Sequence, residues 1–144
     1  MIHFDLVSLS GIKFSDDVYE VLLPTTSGEI GVLPKHMPLV SVATHGVVSV
    51  RRKALDRDDA MEHFAISGGV IEVTGDSLRV LVDDADHADE ISVEEANKAL
   101  ERAKKLKSEA HDQVSLDQAQ SLIDRQAVRL QVAGLKRRGG NRRG

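Results

Sequence analysis

The chain has 144 residues, 41% hydrophobic and 29% charged, which suits one good core or a small domain with an appendage and is too apolar for a disordered chain. Four aromatics (Phe4, Phe14, Tyr19, Phe64) and no cysteine call for an aliphatic core, exclude disulfides and thiolate metal sites, and leave little to stack single-stranded nucleic acid. The net charge of −4 conceals an asymmetry: residues 1–90 carry 7 Lys and Arg against 16 Asp and Glu, and residues 91–144 carry 12 against 7, so the two parts attract one another.

From the start to about residue 88 the hydrophobic period is close to two. Ile2, Phe4 and Leu6 alternate with His3 and Asp5, and Leu78, Val80 and Val82 alternate with Ser77 and Arg79. Short β-branched runs lie between them at 18–23, 46–50, 63–66 and 70–74. Turn residues separate the runs at Thr25-Thr26-Ser27-Gly28, Asp56-Arg57-Asp58-Asp59 and Thr74-Gly75-Asp76. Many short strands at close spacing predict a β-sandwich or flattened barrel. Pro34 and Pro38 cannot sit in a central strand, so residues 33–38 are expected to form an exposed connection or edge. Ser67-Gly68-Gly69 has no following Lys-Ser/Thr and no helix, and reads as a tight turn or bulge between strands rather than a phosphate loop. The acidic stretch 83–90 lacks the spacing of a calcium loop and reads as a solvated linker.

Beyond residue 89 the period becomes helical. Ser92-Val93-Glu94-Glu95 has the spacing of a capping box, and an apolar stripe follows at Val93, Ala96, Leu100, Ala103 and Ala110. Glu94–Lys98 and Glu101–Lys105 are i,i+4 pairs in the favourable order. A connector over 111–114 leads to a second box at Ser115-Leu116-Asp117-Gln118 and a second stripe at Leu116, Ala119, Ile123, Ala127, Leu130 and Ala133. Two amphipathic helices with a short loop form an antiparallel hairpin. Its seam is mostly alanine, each burying far less than the ~1.5–3 kcal/mol of a large aliphatic side chain, so the hairpin is expected to depend on docking for its order. The division is therefore a β-sandwich domain over 1–88, a helix-loop-helix over 89–135 and a basic tail over 136–144 that has no apolar residue and is expected to be disordered.

No catalytic constellation emerges. The six histidines have no metal-ligand spacing on a helix, no metal or cofactor is expected, and no nucleophile–base pair has a recognisable context. No apolar run approaches the ~20 residues of a membrane-spanning helix, and the first residues lack the features of a signal peptide. The basic tail leaves a nucleic-acid-binding module as a rival reading. An acidic β-domain, few aromatics and no recognition motif argue against it.

Two segments narrow the choice. Gly28-Glu29-Ile30-Gly31-Val32-Leu33-Pro34-Lys35-His36-Met37-Pro38-Leu39-Val40, then Ser67-Gly68-Gly69-Val70-Ile71-Glu72-Val73, precede an alanine-rich helical hairpin. In this combination and order, over essentially residues 1–135, the chain resembles the epsilon subunit of F-type ATP synthases, bacterial type. The resemblance implies a β-sandwich of about ten strands followed by a C-terminal antiparallel α-helical hairpin. It also implies a non-catalytic central-stalk role, coupling the gamma subunit to the membrane c-ring in a proton-translocating synthase. The hairpin would restrain ATP hydrolysis by reaching the alpha/beta catalytic head. By the same resemblance, Glu29, Pro34, Lys35 and His36 match the c-ring contact, and the protein would lie peripherally on the cytoplasmic face of a bacterial inner membrane. Some members bind ATP through Ile/Leu-Asp-x-x-Arg-Ala. Here the aligned stretch is Ile91-Ser92-Val93-Glu94-Glu95-Ala96, with Ser92 and Glu95 in place of the aspartate and arginine. Arg102, Arg125 and Arg129 match basic positions of those ATP binders, but with the motif degraded no ATP regulation is expected.

Overall fold

The computed structural model describes the backbone of residues 1–143 and the side chains through Lys136. Eight strands come first: β1 (Ile2–Ser8), β2 (Gly11–Val18), β3 (Glu20–Thr25), β4 (Gly28–Val32), β5 (Leu39–Ala43), β6 (Gly46–Arg51), β7 (Glu62–Thr74) and β8 (Ser77–His87). A single 3-10 turn at Ala88–Glu90 leads into helix α1 (Val93–Glu109), and α2 spans Gln113–Arg143. The predicted sandwich and helical hairpin are both present. The predicted basic tail, 136–144, falls almost wholly on residues whose side chains lie outside the described part.

β7 and β8 are long enough to serve both layers. The C-terminal half of β7 pairs with β5 (Val42↔Val70), and its N-terminal half pairs with β6 (Val48↔Phe64). β8 follows β7 from Phe64↔His87 to Thr74↔Ser77, and it pairs in parallel with β1 (Leu6↔Val80). The first layer is therefore β2-β1-β8-β7-β5, and the second is built from β4, β3, β6 and the other ends of β7 and β8. Counted by layer, the eight strands provide the expected ten. The crossing lies at Ser67-Gly68-Gly69, which is a bend within one strand and not a turn between two. Gly68 has φ +37°, and a Cβ on Gly69 would stand 2.0 Å from the Leu81 carbonyl oxygen, so only glycine lets β7 pass β8 there.

Alternation places Ile2, Phe4 and Leu6 inward from β1 and Val48 and Val50 inward from β6, all fully buried. Three rings join the layers, with Phe14 centroids 5.4 Å from Phe4 and 5.8 Å from Phe64. The β7–β8 hairpin turns on Gly75-Asp76, with φ +58° at Gly75, as a type II′ turn requires at its first central position.

The acidic stretch 83–90 is not a linker. Its first half is strand, paired with β7 through His87, and the inward phase shifts by one residue after Val82, so that Ala85 is buried at 3% while Asp84 and Asp86 are half-exposed. The composition hid the strand. At the hairpin, Ser92 Oγ accepts from Glu95 N at 3.3 Å, as the first capping box predicts. The second box is displaced: Asp112 Oδ1 accepts from Ser115 N at 3.0 Å, so α2 begins at Gln113 and the connector shortens to 110–112. Glu94 pairs with Lys98 at 3.2 Å, whereas Glu101 reaches Lys104 in place of Lys105.

Candidate functional site

Three features of the surface are built for contact. The first is the outer face of the β2-β1-β8-β7-β5 layer. Strand register aligns Ile12, Val7, Leu81, Val70 and Val42 side by side across five strands. Of these, Ile12 is 69% exposed, Val42 58%, Val70 45% and Leu81 44%. Neighbouring strands lie ~4.8 Å apart, so the row is a continuous apolar band ~19 Å long. The next row along the strands carries Ser15, Asp5, Arg79, Glu72 and Val40. An apolar band of this kind flanked by charge is the usual mark of a protein–protein contact. The alternating pattern of each strand hides it, since the band exists only once register is known.

The second feature is the β4–β5 connection. His36 N donates to Leu33 O at 3.2 Å, closing a turn with Pro34 at its second position and Lys35 at its third. Lys35 has φ +66°, the only non-glycine positive φ among the described residues. Proline followed by positive φ is the type II turn, whose third position glycine normally fills. Holding lysine there costs on the order of 1–2 kcal/mol and keeps its side chain out in solvent. The His36 ring bonds its neighbour's carbonyl, Nδ1 to Met37 O at 2.6 Å, and Met37 itself is 78% exposed. Pro34, Lys35 and His36 thus form one rigid knuckle. Glu29 is outside it, exposed on β4 opposite Pro24, where it borders an open groove.

That groove, about 870 Å³, runs between the outer face of the second layer and the end of α2. Glu20, Asp59, Glu62 and Asp89 give it an acidic wall. Arg51 bridges Glu20 at 3.1 Å and Asp58 at 2.6 Å, pinning the 52–61 loop at its rim. His63 lies half-buried beside it, with Nδ1 2.8 Å from Ser49 Oγ. Burial, with a smaller contribution from the nearby His87, holds the His63 imidazole below its usual range.

The third feature is the joint between the domains. α2 makes the main contact with the sandwich, and α1 packs on α2. Val132, fully buried, meets Ala65 and Ala88, with Val47, Ile91 and Val128 around them. Beside this small apolar contact run three charge pairs: Arg125 Nη1–Asp84 Oδ2 at 3.2 Å, Arg129 Nε–Asp86 Oδ2 at 3.6 Å, and Lys136–Asp89. The lysine holds the Asp89 carboxyl below its usual range. Arg125 and Arg129 come together on the sandwich side of α2, whereas Arg102 is exposed on α1. The attraction between the two oppositely charged parts is realised at this joint. Two faces of α2 are consequently in use, and the single stripe read from the sequence missed one. Ala127, placed in that stripe, is exposed, while Gln126 and Val132 are buried.

Residues 1–88 match the family model described as ATP synthase, Delta/Epsilon chain, beta-sandwich domain. The chain belongs to the ATP synthase epsilon-chain family. ATP synthase epsilon chains of Halalkalibacterium halodurans and Staphylococcus aureus are 34% and 35% identical to it, covering 92% and 94% of this chain and 97% and 98% of their own. That of Moorella thermoacetica is 32% identical over 92% of this chain and 96% of its own. Among solved structures, a chain of the Euglena gracilis mitochondrial ATP synthase (OSCP/F1/c-ring) superposes with a TM-score of 0.75 at 25% identity, covering 92% of this chain and 80% of that one. A chain of the Tetrahymena thermophila central stalk/c-ring structure shares the fold, with a TM-score of 0.56 at 14% identity over 93% and 96%. As an epsilon chain it is a stalk subunit of a membrane-associated complex whose catalysis is carried by other subunits. No helix among the described residues is long and apolar enough to cross a membrane.

Proposed function

We propose that this epsilon chain couples rotation of the gamma subunit to the c-ring of a proton-translocating synthase, and that its hairpin restrains ATP hydrolysis by reaching the alpha/beta head. The observation that carries the coupling reading is the apolar band Ile12–Val7–Leu81–Val70–Val42, an exposed face that crosses five paired strands. We assign it to gamma. The Pro34-Lys35-His36 knuckle, with Glu29 exposed on the adjoining strand, is assigned to the c-ring. A strained turn held by proline suits a contact that must pass torque without flexing. The hairpin's small apolar contact supports its release toward the head. Its arginines face Asp84 and Asp86, so the reading includes no bound ATP. The site of action would be the cytoplasmic face of a bacterial plasma membrane, as a peripheral member of the complex.

The test is ATPase activity of the assembled catalytic head and stalk carrying the full chain, against one ending near residue 90. Truncation should raise hydrolysis while the sandwich stays bound. Equal rates with both chains bound would refute the restraining role.

A further inference from the structure

The joint between sandwich and hairpin has an unusual make-up for an interdomain contact. Its apolar core is small: Val132, Ala65 and Ala88 are buried, with Val47, Ile91 and Val128 packed against them. Around it the cations of α2 are spaced at 125, 129 and 136, on the turns of the helix that face the sandwich. The carboxylates that meet them are spaced at 84, 86 and 89, along the outward side of β8 and the turn after it. These cations and carboxylates come into register when α2 lies across β7, from where its long side chains reach the outer face of the end of β8. The first two rungs are half-exposed, with Arg129 and Asp86 at 23% and 24% and Arg125 and Asp84 at 35% and 50%. Water and salt therefore reach them. Both arginine Nε atoms are shielded and hold no hydrogen bond, so neither guanidinium is fully satisfied.

We propose that this three-rung ladder, Asp84–Arg125, Asp86–Arg129 and Asp89–Lys136, is an electrostatic latch that sets how often the hairpin leaves the sandwich. The latch is a property of the isolated chain and holds whether or not the released hairpin restrains hydrolysis. Half-exposed pairs of this kind change an equilibrium by about 1.5- to 5-fold each. Removing all three should therefore raise the undocked population by roughly 3- to 100-fold. Raising salt should act in the same direction, since the Debye length falls from ~10 Å at 0.1 M to ~3 Å at 1 M. Because α1 packs mainly on α2, release carries both helices.

The full-length chain has no cysteine, so spectroscopic labels attach cleanly at Ser27→Cys on the β3–β4 turn and His111→Cys at the hairpin tip. Distance distributions would be recorded by double electron–electron resonance at ~0.05 and ~1 M salt. The docked distance should lose population at high salt, and at low salt in the Asp84→Asn/Asp86→Asn/Asp89→Asn variant. Exchanging one rung, Asp86→Arg with Arg129→Asp, should restore docking that either single change weakens. Amide exchange of β1 and β8 checks that the sandwich stays folded in each variant. A distance distribution unmoved by salt and by the triple variant overturns the latch. So does a charge exchange that fails to rescue its single changes while the sandwich remains intact.

Discussion

Gly69→Ala is the sharpest test of how the sandwich is put together. The added Cβ would lie 2.0 Å from Leu81 O and 2.9 Å from Val82 Cα, both backbone atoms that no rotamer change can move. Restoring ordinary contact requires β7 and β8 to separate by more than ~1 Å at the point where they cross between layers. That would disrupt the Gly69↔Val82 pairing and tilt Val70 and Leu81, its neighbours in the apolar band. Overpacking costs ~1–3 kcal/mol, and a weakened ladder hydrogen bond or two adds ~0.5–1.5 kcal/mol each, so a loss of about 2–5 kcal/mol is expected. Urea unfolding monitored by far-ultraviolet circular dichroism measures it, with Gly134→Ala as control. That glycine lies in α2 with nothing within 4 Å of its Cβ position, so alanine there should stabilise the helix by up to ~1 kcal/mol. A Gly69→Ala chain as stable as the parent would mean that β7 does not bend past β8 as described, and the two-layer account would fail with it.

Leu81→Arg places a charge at the centre of the apolar band while the side chain stays in solvent. Stability should change by no more than ~0.5 kcal/mol and binding to the rest of the stalk should drop, which co-purification with the assembled head reads directly. Retained binding would remove the band from the gamma contact. His63 ties stability to pH. Its folded-state pKa is held below the ordinary 6.5, so unfolding takes up a proton, and the stability present above pH 6.5 is lost as pH falls through it. His63→Asn keeps a partner for Ser49 and removes the titration. The urea midpoint of the variant should therefore fall less than the parent's between pH 7.5 and ~5.5, and parallel curves would refute the assignment.

Much of the sandwich is legible in the residues. The alternation in β1 and β8 and the turn residues at 25–28 and 74–76 place strands where they occur, because those segments have one wet face and one dry face. Legibility fails where one element serves two neighbours. β7 and β8 each cross both layers, so the glycines that permit the crossing read as a tight turn or bulge between strands. α2 buries one side on α1 and another on the sandwich, so its second contact face, in which Arg125 and Arg129 alternate with Val128 and Val132, looks like solvated surface. Asp112 displaced Ser115 as the cap because its carboxylate reaches the Ser115 amide from three residues earlier, the ordinary spacing of an N-cap. The surfaces were harder still. Glu29 and the 34–36 knuckle stand out by glycine and proline, but the apolar band depends on register between strands far apart in sequence. The joint needed both the acidic alternation hidden in 83–90 and the matching cations forty residues on.

The hairpin seam holds a second weak point, and it bears on how the helices move once the joint opens. Gln126 is 7% exposed, in line with Ala119, Ile123, Leu130 and Ala133 on the side of α2 that meets α1, and its Oε1 is buried without a partner. A buried amide oxygen left unpaired costs ~1–3 kcal/mol, a large share of what an alanine-lined seam returns. Gln126→Leu removes that penalty and adds apolar contact at nearly the same volume, so amide exchange in α1 should slow by ten-fold or more. The consequence for function separates two mechanisms. If the hairpin acts as one body, a tighter seam leaves restraint of hydrolysis unchanged, because only the joint with the sandwich must part. If α1 and α2 must come apart to reach the head, the same substitution releases the restraint and raises ATPase activity in the assembled complex. The unpaired oxygen favours separation, since an otherwise costly atom is kept where it weakens the contact that such a movement has to break. Slowed exchange in α1 together with unchanged ATPase activity would refute that mechanism and leave the joint as the sole moving part.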